Sequence, residues 1–310
     1  APWAVVGLGG ARLYFLGPDD LLRQADITAD GRLLEPPRVA RQLGKLRSVA
    51  ASPKRLGLAY VPAAGDQVVY RSAEGSSRPI RRGEFLYLTP HAIAPDGRTI
   101  AVDSGTSVIR KLTLVDLSTS QERGSLTYAG AFLWAPDGQA VVVESAAPAE
   151  PPLPWEDGGT RNLTLHRLQP KQVARLAVGD AGSVWSLLRW DHPSRLEALL
   201  TRYQRTPDGD AQPLSETRFG LDPATGQRQE LGPDTRARSS HELLARRLPG
   251  GEYEPVGELS HSRFLLYRQH SGQATELWLM PHDGSREPVL LGPAPASTEP
   301  LVASWGALPE

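Results

Sequence analysis

The chain has 310 residues, a formal net charge of −1 and no cysteine. That length can bury a large core. Near-neutrality gives no electrostatic case for nucleic acid or an anionic membrane as partner, and the missing cysteines exclude disulfides, thiolate metal sites and cysteine nucleophiles.

No apolar run approaches the ~20 residues that a membrane-crossing helix needs. The chain opens Ala1-Pro2-Trp3 with no Met and no apolar leader. An exported protein that has lost its signal would start this way, as would a chain trimmed of its anchor; a cytosolic fragment is the alternative. Thirty Arg stand against four Lys, with a single Asn and a single Met. A thermophile and a GC-rich genome both give such usage.

Taken in chain order, two words alternate. The first element pattern is "RQADITADGRLLEP", two β-prone runs around a turn. "VAASPKRLGLAYV" follows, with Pro53 at its turn, and then "VVYRSAEGSSRPI". "AIAPDGRTIAVDS" brings Pro95, and "LTLVDLSTSQERGSL" comes after it. "FLWAPDGQAVVVES" repeats the Pro-Asp-Gly turn at Pro136, ahead of "LTLHRLQPKQVARL". "LLRWDHPSRLEALLTRY" puts Trp190 where Trp134 stood, and "TRFGLDPATGQRQEL" follows. Last come "ELSHSRFLLYRQ", "ELWLMPHDGSREPVLL" and "VASWGALPE", the last with Trp305 at the same repeat position. Pro and Asp favour the turn and Gly tolerates positive φ, while the flanking Val, Ile, Leu and aromatic residues suit half-buried strands.

Each word therefore reads as a hairpin. Two hairpins in ~40 residues make one four-stranded antiparallel unit, the period of a propeller blade. Six second-hairpin words give six blades of strands A to D, near 2–42, 46–84, 88–127, 130–178, 182–232 and 252–292. The predicted fold class is an all-β, six-bladed β-propeller forming one domain over 1–310. Leu301–Trp305 is expected to be the inner closing strand ahead of Arg12–Leu16, with Val5–Leu8 as an added segment near that seam.

"IAPDGRTIAV" and "WAPDGQAVVVES" resemble the WD40-like repeat of TolB-type β-propellers, whose core reads roughly Ser-Pro-Asp-Gly-Lys-x-Ile-Ala-Phe. "VDLSTSQERGSLT" and "LDPATGQRQELG" are similar to that repeat's second half. The resemblance implies the architecture and says little of activity. TolB carries an α/β domain ahead of its propeller, whereas this chain starts directly in strands, so the family's envelope role is not carried over. Prolyl-oligopeptidase propellers are also similar, but the Gly-x-Ser-x-Gly elbow of those enzymes is missing.

Chemistry-bearing motifs are few. The seven histidines make no HExxH or other close-ligand pattern, so no metal or cofactor is expected. His192, His261 and His282 fall at predicted turns and His166 on a strand. Asp208-Gly209-Asp210 reads as a turn. Asn162-Leu163-Thr164 fits a glycosylation sequon but sits in a predicted strand. Recurrence of Trp134, Trp190 and Trp305 points to packing between blades.

Topology locates a surface. A–B and C–D turns share one side; B–C loops and D–A crossovers share the other, where the lengths are irregular. "SAAPAEPPLPWEDGGT" (Ser145–Thr160), "YQRTPDGDAQ" and the crossover Gly232–Pro255 all lie there. Long connections in compact domains are commonly either functional or mobile. Trp155 is an aromatic anchor candidate, although folding back over its own blade would use it equally well. Glu156 and Asp157 would give a charged rim, and Arg246 or Arg247 a counter-charge near a short helix capped by Ser239–Glu242. Arg47, His91, Tyr128 and Trp185, at A-strand starts, would form the floor at the channel mouth.

These features predict a non-catalytic, monomeric scaffold, periplasmic or extracellular, that engages a protein, peptide or glycan on the loop-rich side. The alternatives are a propeller enzyme such as a lactonase or glycoside hydrolase, and the sensor domain of a membrane-anchored regulator.

Overall fold

The computed structural model describes residues 11–28, 31–52, 57–72, 74–82, 87–105, 111–148, 159–180, 182–208, 211–232, 252–259, 264–271, 274–281, 286–294 and 303–307. Among them, the regular elements are all strands, apart from one 3-10 turn at Arg41–Leu43. The strands are β1 (Ala11–Leu16), β2 (Leu22–Ile27), β3 (Arg38–Val39), β4 (Leu46–Ala51), β5 (Leu58–Pro62), β6 (Gln67–Arg71), β7 (Ser77–Arg82), β8 (Tyr87–Ile93), β9 (Thr99–Gly105), β10 (Lys111–Asp116), β11 (Glu122–Thr127) and β12 (Phe132–Trp134). They continue as β13 (Ala140–Pro148), β14 (Gly159–Arg167), β15 (Gln172–Ala177), β16 (Ser183–His192), β17 (Arg195–Arg205), β18 (Ala211–Leu221), β19 (Arg228–Leu231), β20 (Glu252–Leu259), β21 (Phe264–Ser271), β22 (Ala274–Pro281), β23 (Val289–Pro293) and β24 (Ala303–Ala307).

The sheets follow the repeat words. Four-stranded sheets run β4-β5-β6-β7, β11-β10-β9-β8 and β20-β21-β22-β23. A further sheet runs β24-β1-β2-β3, so the C-terminal strand lies beside the first one. Their antiparallel register sets Ala11 opposite Ala307 and Phe15 opposite Ala303. The expected partner of β1 is therefore present, two residues C-terminal to its predicted span; Val5–Leu8 lies outside the described residues. The two repeats with the clearest tryptophan words are joined into one eight-stranded sheet, through a single parallel pairing of Arg161 with Val184.

The turns repeat atom for atom where the words repeat. Ala94 N–H donates to Thr99 O, and Ala135 N–H to Ala140 O, at 2.7 and 2.8 Å. Asp96 and Asp137 accept the N–H groups of Arg98 and Gln139. In the second word, Asp116 accepts from the N–H groups of Ser118 and Thr119, and Asp222 from those of Ala224 and Thr225. These are Asx turns: a short carboxylate caps backbone donors that the hairpin leaves over. Each ends in a left-handed residue, Ser120 at φ 60° and Gly226 at φ 72°.

By contacts the chain divides into two compact units. One comprises Gly105–Thr113 and Arg123–Asp234; the other comprises Pro2–Ser104, Leu114–Glu122 and Thr235–Glu310. In the first, Ala135, Val142, Leu163 and Leu165 pack with Trp185, Trp190, Leu196 and Leu221. Trp190 thus packs between two neighbouring hairpin sets, as its repeat position predicts. Each such large side chain contributes about 1.5–3 kcal/mol on burial. In the second unit, Leu13, Phe15, Ala25 and Ile27 pack with Leu277, Leu279 and Leu291. There Arg78 donates to Ser118 O at 2.8 Å, and Arg81 pairs with Glu122 at 3.0 Å.

Candidate functional site

The predicted inserts are shorter as loops than the sequence suggests, because strands enter them. β13 and β14 stay paired from Ala140–Arg167 out to Pro148–Gly159. The partner on their outer side, β15, stops at the pairing of Leu163 with Ala177. β17 and β18 stay paired from Leu196–Leu221 out to Arg205–Ala211, whereas β19 covers only Arg218–Leu221. Both hairpins overrun their sheets as two-stranded ribbons. Ser145–Pro148 and Gly159–Thr160 are therefore strand, correcting the loop expected over Ser145–Thr160, and in the second ribbon strand extends through Arg205 and resumes at Ala211. Proline hid this: Pro148 sits at the last paired position, and Pro213 beside a register shift, two places where a strand tolerates the missing N–H. The second ribbon is solvated, with Gln212–Glu216 all exposed and Leu214 at 60% exposure.

Behind the ribbons lies a buried carboxylate. Glu144, on β13, is 3% exposed. Its Oε1 accepts the Leu187 N–H at 2.7 Å and its Oε2 the Ala131 N–H at 3.0 Å. Arg161 Nη1 stands 3.6 Å from Oε2. Its backbone is engaged too: Ala129 N–H donates to Glu144 O, and Glu144 N–H to Ala131 O. A Cβ at Gly130 would fall 1.9 Å from Oε2, so this close approach requires glycine. A second carboxylate, Glu197 on β17, accepts from Arg218 at 2.6 Å, with Arg189 at 2.8 Å and Arg195 at 3.6 Å. Burial alone would raise its pKa, but the hydrogen bonds from Arg189 and Arg218 outweigh that and hold it below the usual carboxylate range.

Of the residues singled out from sequence, Trp155, Glu156, Asp157, Arg246 and Arg247 lie outside the described residues, as does the helix expected near Ser239–Arg247. Arg47 is exposed, beside a register shift in β4, and donates to Gly65 O at 2.8 Å. His91 is in β8. Tyr128 is buried ahead of β12 and meets Phe132 edge-on. Trp185 is 1% exposed, donates to Val178 O at 3.3 Å, stacks at a tilt on Phe219 and lies under the Arg228 guanidinium. Tyr128 and Trp185 belong to one compact unit, and Arg47 and His91 to the other.

Asn162 of the sequon is 6% exposed and accepts the Gly179 N–H at 2.8 Å, so its amide is engaged in the fold. Among the described residues, no three His, Asp or Glu side chains are grouped to hold a metal ion. No helix among them is long and apolar enough to cross a membrane. Sequence reasoning passed over Glu144 and Glu197, though each carried a signal: an acid inside an apolar strand run, as in "VVVES" and "RLEALL", implies a buried, partnered carboxylate.

No family model and no curated protein matches the chain. Solved structures do. TolB from Acinetobacter baumannii is 18% identical over 98% of this chain and 69% of that one, with a TM-score of 0.49. A chain of the nidogen/laminin complex is 10% identical over 96% of this chain and 99% of that one, with a TM-score of 0.50. The β-propeller domain of the trilobed protease from Pyrococcus furiosus is 9% identical over 91% and 83%, with a TM-score of 0.48. The likeness is to TolB-like and other β-propellers, and it is one of fold alone.

Proposed function

We propose that the chain is a single six-bladed propeller domain, closed by β24, that serves as a non-catalytic binding scaffold in the periplasm or outside the cell. Its ligand is a protein, peptide or glycan, engaged on the side from which the β13–β14 and β17–β18 ribbons extend. The observation carrying this reading is the overrun itself. Both strand pairs continue past their sheet neighbours, and in the second Gln212–Glu216 are exposed, so the core gives no reason for its length. Trp155, Glu156 and Asp157, in the connection between β13 and β14, supply the anchor and rim. Tyr128 and Trp185, buried in the compact unit that carries both ribbons, serve as support, and Arg47 and His91 are further candidate contacts.

The test replaces residues 149–158 by a Gly-Ser linker, and Trp155 by Ala in a separate variant, in the intact chain. Melting temperature and capture of partners from an envelope extract are both measured. The reading expects unchanged melting and lost capture. Normal folding with undiminished capture would remove this ribbon from the site.

A further inference from the structure

The geometry points to Glu144 as the positioning residue that locks the two ribbon-bearing hairpin sets together, and so fixes the spacing of the ribbons. The inference rests on the proposed binding role for its purpose, but its geometry stands without it. Direct strand pairing between the two sets is thin: one parallel pairing, Arg161 with Val184, joins β14 to β16. Glu144 adds a polar lock at this seam. Through Oε2 it holds Ala131, in the segment leading into β12; through Oε1 it holds Leu187, in β16. One carboxylate thus grips the lead-in to β12 in one set and β16 in the other, at 3% exposure.

The register supports a dedicated contact. Leu187 pairs with Ala198 and Arg189 with Glu197, so Leu188 is an extra residue in β16 beside the gripped amide. A bulge of this kind re-aims backbone groups and is a built feature of a strand. Gly130 leaves room for the carboxylate, and Arg161, at 3.6 Å from Oε2, supplies charge balance on the first ribbon strand itself. Two charge-assisted N–H bonds to a buried carboxylate are short, directional and costly to leave unmade. Apolar packing across the seam holds the sets together; the carboxylate sets how they are aligned.

Spin labels can read this alignment, because the chain has no native cysteine. Val173→Cys on β15 and Gln204→Cys on β17 are both exposed sites. Pulsed electron resonance on the doubly labelled full chain should give one narrow distance distribution. Glu144→Ala should broaden or split it, with melting still cooperative. Glu144→Gln keeps one acceptor and the side chain's shape, and should fall between the two. If Glu144→Ala does not fold, the Gln variant carries the test. A distribution as narrow as the parent's in a folded Glu144→Ala or Glu144→Gln protein would overturn the inference. Because this readout needs no ligand, a failure of the binding proposal leaves it intact, and the reverse also holds.

Discussion

Ser120 and Gly226 are a natural experiment in one turn. Both residues follow an Asx turn, both donate N–H to the Asp carbonyl at 2.8 Å, and both have positive φ. Only one is glycine. A side chain in the left-handed region costs roughly 1–2 kcal/mol, offset in part by the entropy that glycine loses on folding. Ser120→Gly should therefore raise stability by about 0.5–1 kcal/mol in denaturant unfolding. Gly226→Ala should lower it by a similar amount, since nothing lies within 4 Å of the added Cβ and only the backbone is affected. Gly130→Ala should cost more, about 1–3 kcal/mol, because the Glu144 carboxylate it displaces is tied to two N–H groups.

Two groups give the pH dependence a sign. Burial depresses the pKa of His166, so the folded state favours the neutral ring. Its contribution is complete above the unfolded value of about 6.5 and is lost as pH falls through the lower folded value. Glu197 is also depressed; its contribution is complete above about 4.3 and is lost as pH falls through its folded value. Both act in one direction. Melting temperature should fall on acidification from pH 8, and His166→Gln should flatten the part near neutrality. A melting temperature rising from pH 7 to 5 would contradict this.

At the scale of elements, hairpins were legible and their lengths were not. The Pro-Asp-Gly and Asp-Pro-Ala-Thr-Gly words fixed turn positions because their side chains make the turns, through Asp96, Asp137, Asp116 and Asp222. Strand ends beyond them depend on partners distant in sequence. Pro148 ends a ladder and Pro213 sits beside a register shift, so neither stops its strand short. Tyr128 and Trp185 read as a surface floor because a strand start is commonly solvated; packing against Phe132 and Phe219 buries them instead. Glu144 joins segments that share no motif, so pattern reading alone could not pair it with Leu187. The ribbons give an element-scale prediction. Replacing residues 204–212 by Asn-Gly should shorten the second ribbon and leave melting within a few degrees, since Gln212–Glu216 is exposed. A collapse of stability would show that the ribbon is core.

For the whole molecule, the central claim is closure of the propeller by the C-terminal strand. An unpaired β1 edge would be open to aggregation, and β24 covers it with five registered pairs. Deleting residues 299–310 should therefore destabilise or aggregate the protein. The most direct measurement places Cys at Ala11 and Ala307, which face each other in that register, in a chain with no other cysteine. Mild oxidation of the dilute protein should give an intramolecular disulfide and a higher melting temperature, because the bond closes a loop of nearly the whole chain. Free thiols after oxidation, or dimers alone, would mean that the termini do not meet and that the ring is not closed by this strand.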